Sequence, residues 1–189
     1  RRMIAFSSVA QIGYIFMGIG MGTRAGMIAA VFHILTHAAT TSLLFISAIG
    51  LTDVSGYSRS FFYLTGAGYR NKIAGVGFTV GSLSMVGVPL FSGFISKYLF
   101  ASSAVQLTGK MMPALVCLAI STVLNAIYFM KTVIRIYTPA SDTRFESVKM
   151  SSNVLYAVTI LAFIAINLIL GLKSHPITWY IRTGLEMFP

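Results

Sequence analysis

Long apolar runs separated by short charged or polar segments dominate the chain. Residues 3–23 contain no formally charged side chain, and the same holds for residues 25–52. An apolar run of about 20 residues is long enough to cross the hydrocarbon core of a bilayer as a helix. We therefore predict an all-α, polytopic membrane protein with about five transmembrane helices, at residues 3–23, 25–50, 73–109, 112–137 and 151–172.

The same pattern divides the chain into two parts. Residues 1–137 hold the first four predicted helices, whereas residues 138–189 hold a polar loop, the last transmembrane helix and a tail. Trp179 and Tyr180 in the tail are residue types that anchor at the membrane interface, so residues 175–189 are predicted to be an amphipathic or irregular segment. Residues 53–72 are predicted to be a loop that lies against the headgroups.

The third apolar run is too long to be one straight helix across a membrane. Its 37 residues would extend about 55 Å, against a hydrocarbon core of about 30 Å. Gly87, Pro89 and Gly93 lie near its middle, where glycine freedom and the missing proline N–H interrupt the helix. We predict a broken transmembrane helix, of the kind that marks ion and substrate sites in transporters.

Lys97 is the one lysine, arginine or carboxylate in this run, and it follows the predicted break. A lysine at the bilayer centre costs about 3 kcal/mol on insertion scales, so it requires polar surroundings. A buried lysine can exchange a proton near neutral pH, which makes Lys97 a candidate proton carrier. The alternative is a lysine near a helix end whose ammonium extends to the headgroups.

Two histidines in the second run, His33 and His37, are spaced to share one helix face. Imidazole titrates near neutrality and can pass a proton between its two nitrogens, which favours a proton relay. Hydrogen bonding to neighbouring helices and metal binding are the alternatives. Zinc is disfavoured because no H-E-x-x-H arrangement and no cysteine or carboxylate stands in reach, so no metal site is predicted.

Further polar positions are candidates for lining a pathway. Ser7, Gln11 and Tyr14 recur at spacings of three and four along the first helix, which predicts one polar stripe. Interhelical hydrogen bonds explain this stripe as well as a water pathway does. The supporting candidates elsewhere are Thr40, Thr41, Asn125 and Lys131.

Composition agrees with a membrane protein, since 56% of residues are hydrophobic, 10% are charged and the mean hydropathy is +0.82. The net charge of +10 does not indicate nucleic-acid binding, because the basic residues are scattered between apolar runs. Nine of them fall on the side of the N-terminus and four on the other, so the N-terminus is predicted to be cytoplasmic. The opening Arg1-Arg2 without an initiator methionine suggests a piece of a longer protein.

Three blocks of sequence resemble one family. They are Arg2-Met-Ile-Ala-Phe-Ser-Ser-Val-Ala-Gln-Ile-Gly-Tyr14, Phe32-His-Ile-Leu-Thr-His-Ala38 and Gly87-Val-Pro-Leu-Phe-Ser-Gly-Phe-Ile-Ser-Lys97. In this order and spacing they resemble the antiporter-like proton-conducting subunits shared by respiratory complex I, the NADH:quinone oxidoreductase, and the Mrp-type Na⁺/H⁺ antiporters. The family builds its channel from two inverted five-helix repeats, and residues 1–137 are similar to the second.

The resemblance implies that Lys97 is the terminal proton station and that His33 and His37 belong to a central polar axis. Many members carry a lysine where this chain has Thr41, so the relay would rest on histidines, threonines and water. The implied function is proton or Na⁺/H⁺ translocation in the cell (inner) membrane, by a non-catalytic subunit without a cofactor of its own. Its implied partners are other membrane subunits and the lipid bilayer. The alternative function is a truncated, non-conducting assembly module.

Overall fold

The computed structural model describes residues 2–58, 60–107, 109, 111–139 and 154–187, and within these ranges it is all-helical. The elements in chain order are α1 Arg2–Gly20, α2 Arg24–Asp53, α3 Ala67–Arg70, α4 Lys72–Val86, α5 Ser92–Val105, α6 Met111–Ile136, α7 Val154–Leu172 and α8 Ser174–Glu186. The predicted fold class is therefore confirmed. Residues 140–153, which include much of the predicted loop and the start of the last predicted helix, lie outside the described residues.

α1 and α2 form a closely packed helical hairpin, and α2 lies at the centre of the fold. α1 ends at Gly20, three residues before the predicted end, because Gly22 turns the chain with φ +66° and Thr23 caps the next helix. The Thr23 side chain accepts a hydrogen bond of 3.1 Å from the backbone N–H of Gly26. α2 continues to Asp53, beyond the predicted end at residue 50, and it packs against α1, α4, α5, α7 and α8.

The third predicted helix is broken, as the sequence indicates. α4 has 15 residues and α5 has 14, so each half is about 21–23 Å long and neither crosses the hydrocarbon core alone. Residues 87–91 separate the halves. Gly87 ends α4 in the left-handed conformation, with φ +90°, and Pro89 lies in the turn that follows.

The loop before α4 is tied to the helix ends by side-chain hydrogen bonds. Arg70 donates from Nε to the carbonyl of Val54 at 2.9 Å and from Nη1 to the carbonyl of Thr65 at 3.1 Å. Asn71 then caps α4, because its Oδ1 accepts from the N–H of Ala74 at 3.0 Å. These bonds fix the point at which α4 begins.

The tail is a helix rather than an irregular segment. α8 contains no buried residue and packs on α2 and α7. At one end of the fold, Arg24 Nη2 and Glu186 Oε1 form an ion pair of 3.0 Å. Between these two residues the chain crosses the membrane four times, through α2, the α4–α5 pair, α6 and α7. An even number of crossings leaves Arg24 and Glu186 on the same side of the membrane, in agreement with the ion pair.

Long apolar helices make the protein a multi-pass membrane protein. α1, α2, α6 and α7 are each long and apolar enough to cross a bilayer, and the α4–α5 pair supplies a fifth, broken crossing. α2 is the most buried of the four long helices, whereas most of α6 and α7 faces outward with apolar side chains. The polar residues discussed next face inward, around α2.

Candidate functional site

The end of α4 is a helix terminus inside the fold, and its last four carbonyls need hydrogen-bond donors. The N–H of Val88 donates to the carbonyl of Leu83 and the N–H of Gly87 donates to that of Ser84, both at 3.0 Å. This is the Schellman arrangement that a left-handed glycine allows. The carbonyls of Met85 and Val86 remain without a backbone donor from this turn.

Lys97 supplies the two missing donors. Its Nζ donates to the carbonyl of Met85 at 3.0 Å and to that of Val86 at 2.7 Å. Lys97 is the sixth residue of α5, and side chains of a helix tilt toward its N-terminus, so the amine reaches back to the break. A cation at a helix C-terminus is also favoured by the helix dipole.

The two halves of the broken helix approach each other closely at Gly93. A Cβ at this position would overlap the carbonyl oxygen of Ser84. The N–H of Gly93 also donates to the Ser84 hydroxyl at 3.3 Å. Only a residue without a side chain fits here, which explains the glycine that follows the break.

His33 and His37 lie on the face of α2 that is turned toward the break. Their rings are stacked with centroids 5.9 Å apart. His33 is buried, and its Nδ1 lies 2.6 Å from the hydroxyl of Ser96 on α5, while Nδ1 of His37 lies 3.0 Å from the hydroxyl of Thr41. Nε2 of His33 is buried without a hydrogen-bond partner among the described residues.

A small cavity joins these groups. Its volume is about 10 Å³, which is close to the minimum that one water molecule needs. Polar side chains, one methionine and one glycine line it: Gln11, His33, Thr36, His37, Thr40, Ser84, Met85, Gly93 and Lys97. Nε2 of Gln11 is, like Nε2 of His33, buried without a partner, and such atoms are ordinarily satisfied by ordered water.

An apolar cluster packs against His33. Tyr14, Ala29, Phe100 and Leu118 form it, and the ring of Phe100 lies edge-on to His33 with centroids 5.4 Å apart. Tyr14 also contacts His33 edge-on, at 5.5 Å. Tyr14 therefore belongs to the wall behind His33 and does not line the cavity.

The structure separates the remaining predicted residues from the cavity. Asn125 is buried in a second polar group on α6, where it bonds to the carbonyl of Ser121 at 2.7 Å and to the hydroxyl of Tyr128. Ser7 is buried on the nearby part of α1 and donates to the carbonyl of Ile4 at 2.7 Å. Lys131 is exposed, and among the described residues no cluster of three or more His, Cys, Asp or Glu could hold a metal.

Sequence reasoning missed Asn167. This residue of α7 is fully buried, and its Oδ1 accepts hydrogen bonds from three hydroxyls, those of Thr40 at 2.7 Å, Ser92 at 2.9 Å and Ser84 at 3.1 Å. The signal was present as one asparagine in an otherwise apolar stretch of a predicted transmembrane helix. Its partners could not be inferred, because they lie 75 to 127 residues away in the chain.

A solved structure of another protein has a similar fold. The structure is similar to a chain in the Mrp complex from Dietzia sp. DQ12-45-1b, with a TM-score of 0.78 and 21% identity over 94% of this chain and 40% of that one. The likeness supports the fold assignment alone.

Curated relatives agree with the structural likeness. NADH-quinone oxidoreductase subunit N of Desulforudis audaxviator is 32% identical over 72% of this chain and 26% of its own length. The putative antiporter subunit mnhD2 of Staphylococcus aureus is 30% identical over 89% of this chain and 33% of its own. The chain thus spans about a quarter to a third of these relatives.

A family model described as the NADH:quinone oxidoreductase/Mrp antiporter transmembrane region matches residues 1–125. The match includes α1, α2, the broken helix and the first part of α6, and it therefore contains the break, Lys97 and both cavity histidines. Because it covers more than half of the chain, the chain belongs to the NADH:quinone oxidoreductase/Mrp antiporter transmembrane family.

Proposed function

We propose that the protein is a proton-translocating membrane subunit in which His37, His33, cavity water and Lys97 form a relay. The observation that carries this proposal is the position of Lys97, whose amine binds the carbonyl end of α4 and borders the cavity that also contains both imidazoles. Broken helices in transporters place ion sites at such ends. Intramembrane ionisable residues are functional by default.

The hydrogen bonds of Lys97 suit a group that gains and loses a proton. A lysine ammonium has three N–H donors, and two of them are used by the carbonyls of Met85 and Val86. The neutral amine keeps two donors, enough for both carbonyls, and exposes a lone pair. Lys97 can therefore release its third proton to the cavity without leaving the end of α4 unsatisfied.

His33 provides the next step of the proposed relay. Its Nδ1 is held by Ser96, and its Nε2 has no partner among the described residues. Both His33 and Lys97 border a cavity of about the size of one water molecule. A water there would connect the two side chains and let a proton pass between them.

We propose that the protein works within a larger membrane complex. Its relatives are named as a subunit of NADH-quinone oxidoreductase and as a putative antiporter subunit. In this proposal the driver is either quinone reduction in another subunit or, as the resemblance to Na⁺/H⁺ antiporters implies, a Na⁺ gradient. Residues 1–137 correspond in this proposal to the second inverted repeat, with the N-terminus in the cytoplasm because of the charge distribution. The described part of the chain presents long apolar outer faces to such neighbours or to lipid.

Replacing Lys97 by alanine tests the proposal. Lys97→Ala removes the proton carrier, so we expect proton flux to be abolished in membrane vesicles that contain the protein in its native complex. The matched control is Lys131→Ala, because Lys131 is exposed and does not border the cavity. Proton flux of Lys97→Ala equal to that of the control, at equal amounts of assembled complex, would refute the relay.

A further inference from the structure

Asn167 holds together three parts of the break. The hydroxyls that donate to its Oδ1 come from Thr40 on α2, Ser84 in the last turn of α4 and Ser92 in the first turn of α5. All three and Asn167 itself are buried, with at most 2% of any side chain exposed. The Nδ2 of Asn167 donates to the carbonyl of Phe163 in its own helix at 3.0 Å, which fixes the direction of Oδ1.

A second contact of α7 lies one helical turn further along. A Cβ at Gly171 would overlap the carbonyl oxygen of Leu90 and lie 2.8 Å from the carbonyl carbon of Phe91. α7 and the backbone of the break therefore touch directly at this position. Asn167 and Gly171 are four residues apart, so both lie on one face of α7.

The backbone that Gly171 contacts is strained. Leu90 has φ +84°, a backbone conformation that residues with a side chain rarely adopt. Such a conformation persists only where the surrounding structure holds it. The side chain of Leu90 is mostly exposed, so close packing of its backbone against α7 is the visible support.

The contacts of Asn167 lie beside both the acceptors and the donor of the hydrogen bonds made by Lys97. Ser84 directly precedes the two residues whose carbonyls accept from Nζ, and Ser92 begins the helix on which Lys97 stands. If α4 and α5 shift relative to each other, the amine loses one or both carbonyls. The bonds to Asn167 oppose that shift.

We propose that Asn167 and Gly171 form an α7 clamp that sets the position of Lys97, and that Asn167 is a positioning residue for proton transfer. This inference rests on the proposed relay. The clamp lies outside residues 1–125, which the family model matches, so the match does not assign it a role. Asn167 itself does not exchange a proton, because a side-chain amide does not titrate near neutral pH.

The test is Asn167→Leu, which removes the acceptor with a side chain of similar length. The control is Thr159→Leu on the same helix, where the hydroxyl donates to the carbonyl of Leu155 in its own helix and has no other partner among the described residues. Proton flux is measured against pH in vesicles, per amount of assembled complex.

Two other titratable groups border the cavity with Lys97, namely His33 and His37 of α2. Tyr14 of α1 lies behind His33. α4 and α7 contribute no charged side chain to the cavity lining.

If the clamp positions Lys97, Asn167→Leu lowers flux by at least about tenfold and moves the midpoint of its pH profile by about 0.5 unit or more, because the amine meets altered surroundings. The control keeps wild-type flux and midpoint. An Asn167→Leu complex with wild-type flux and midpoint overturns the clamp.

A milder variant keeps the inference testable if Asn167→Leu does not assemble. Ser92→Ala removes one of the three hydroxyls and is expected to move the midpoint in vesicles by a smaller amount, whereas an unchanged midpoint overturns the clamp. The proton relay and the α7 clamp can be refuted independently of each other. Normal flux in Lys97→Ala refutes the relay itself, while loss of flux there together with an unaffected Asn167→Leu refutes only the clamp.

Discussion

At the level of single residues, Lys97 combines a structural role at the end of α4 with a proposed role in proton transfer. Its amine donates hydrogen bonds to two carbonyls at the end of α4. Without this donor, each carbonyl would be left unpaired, which costs about 1–3 kcal/mol for a buried acceptor. The same nitrogen borders the polar cavity. A helix terminus thus gains a donor that can also change its protonation state.

His33 allows the proton relay to be separated from interhelical hydrogen bonding. In His33→Asn the amide can replace Nδ1 in its contact with Ser96, but nothing replaces Nε2 and the side chain no longer titrates. We expect normal assembly and a proton flux lower by at least about tenfold in vesicles. His175→Asn is the matched control because His175 is exposed on α8 and is not among the residues that line the cavity. Wild-type flux in His33→Asn would mean that His33 only holds helices together.

At the scale of elements, the broken helix depends on a close approach of its two halves. A Cβ on Gly93 would overlap Ser84, so Gly93→Ala must push α4 and α5 apart. We expect a loss of about 1–3 kcal/mol in the free energy of unfolding, seen as a lower Tm of the purified protein in detergent. Gly13→Ala is the control, since nothing lies within 4 Å of a Cβ there. Equal Tm values for the two variants would contradict the described packing.

Most elements could be predicted from the sequence because each depends on local pattern. The apolar runs located α1, α2 and α6 to within about three residues, and Gly87 located the break. The hydroxyl contacts of Asn167 and the carbonyl contacts of Lys97 could not be predicted, because they depend on how distant helices are oriented. Lys131 shows the same limit: the sequence names it as a supporting polar candidate without showing which way it faces, and its side chain is exposed.

At the scale of the whole molecule, polar contacts are concentrated around α2, and apolar side chains cover the outside. α2 carries both cavity histidines and Thr40, and it contacts both halves of the broken helix. α6 and α7 present mostly apolar outer faces, which suit lipid or neighbouring helices. Within the proposed function, this arrangement encloses the relay and leaves the outer surface for assembly.

Proton flux through a complex that carries Lys97→Arg distinguishes a lysine that carries protons from one that only supplies a fixed charge. An arginine keeps a cation and several N–H donors at the end of α4, but it does not release its proton. The relay therefore predicts a complex that assembles normally and retains only part of the wild-type flux, measured in vesicles beside Lys97→Ala and wild type. Wild-type flux in the arginine variant would contradict the account, because Lys97 would then act through its charge and its hydrogen bonds alone.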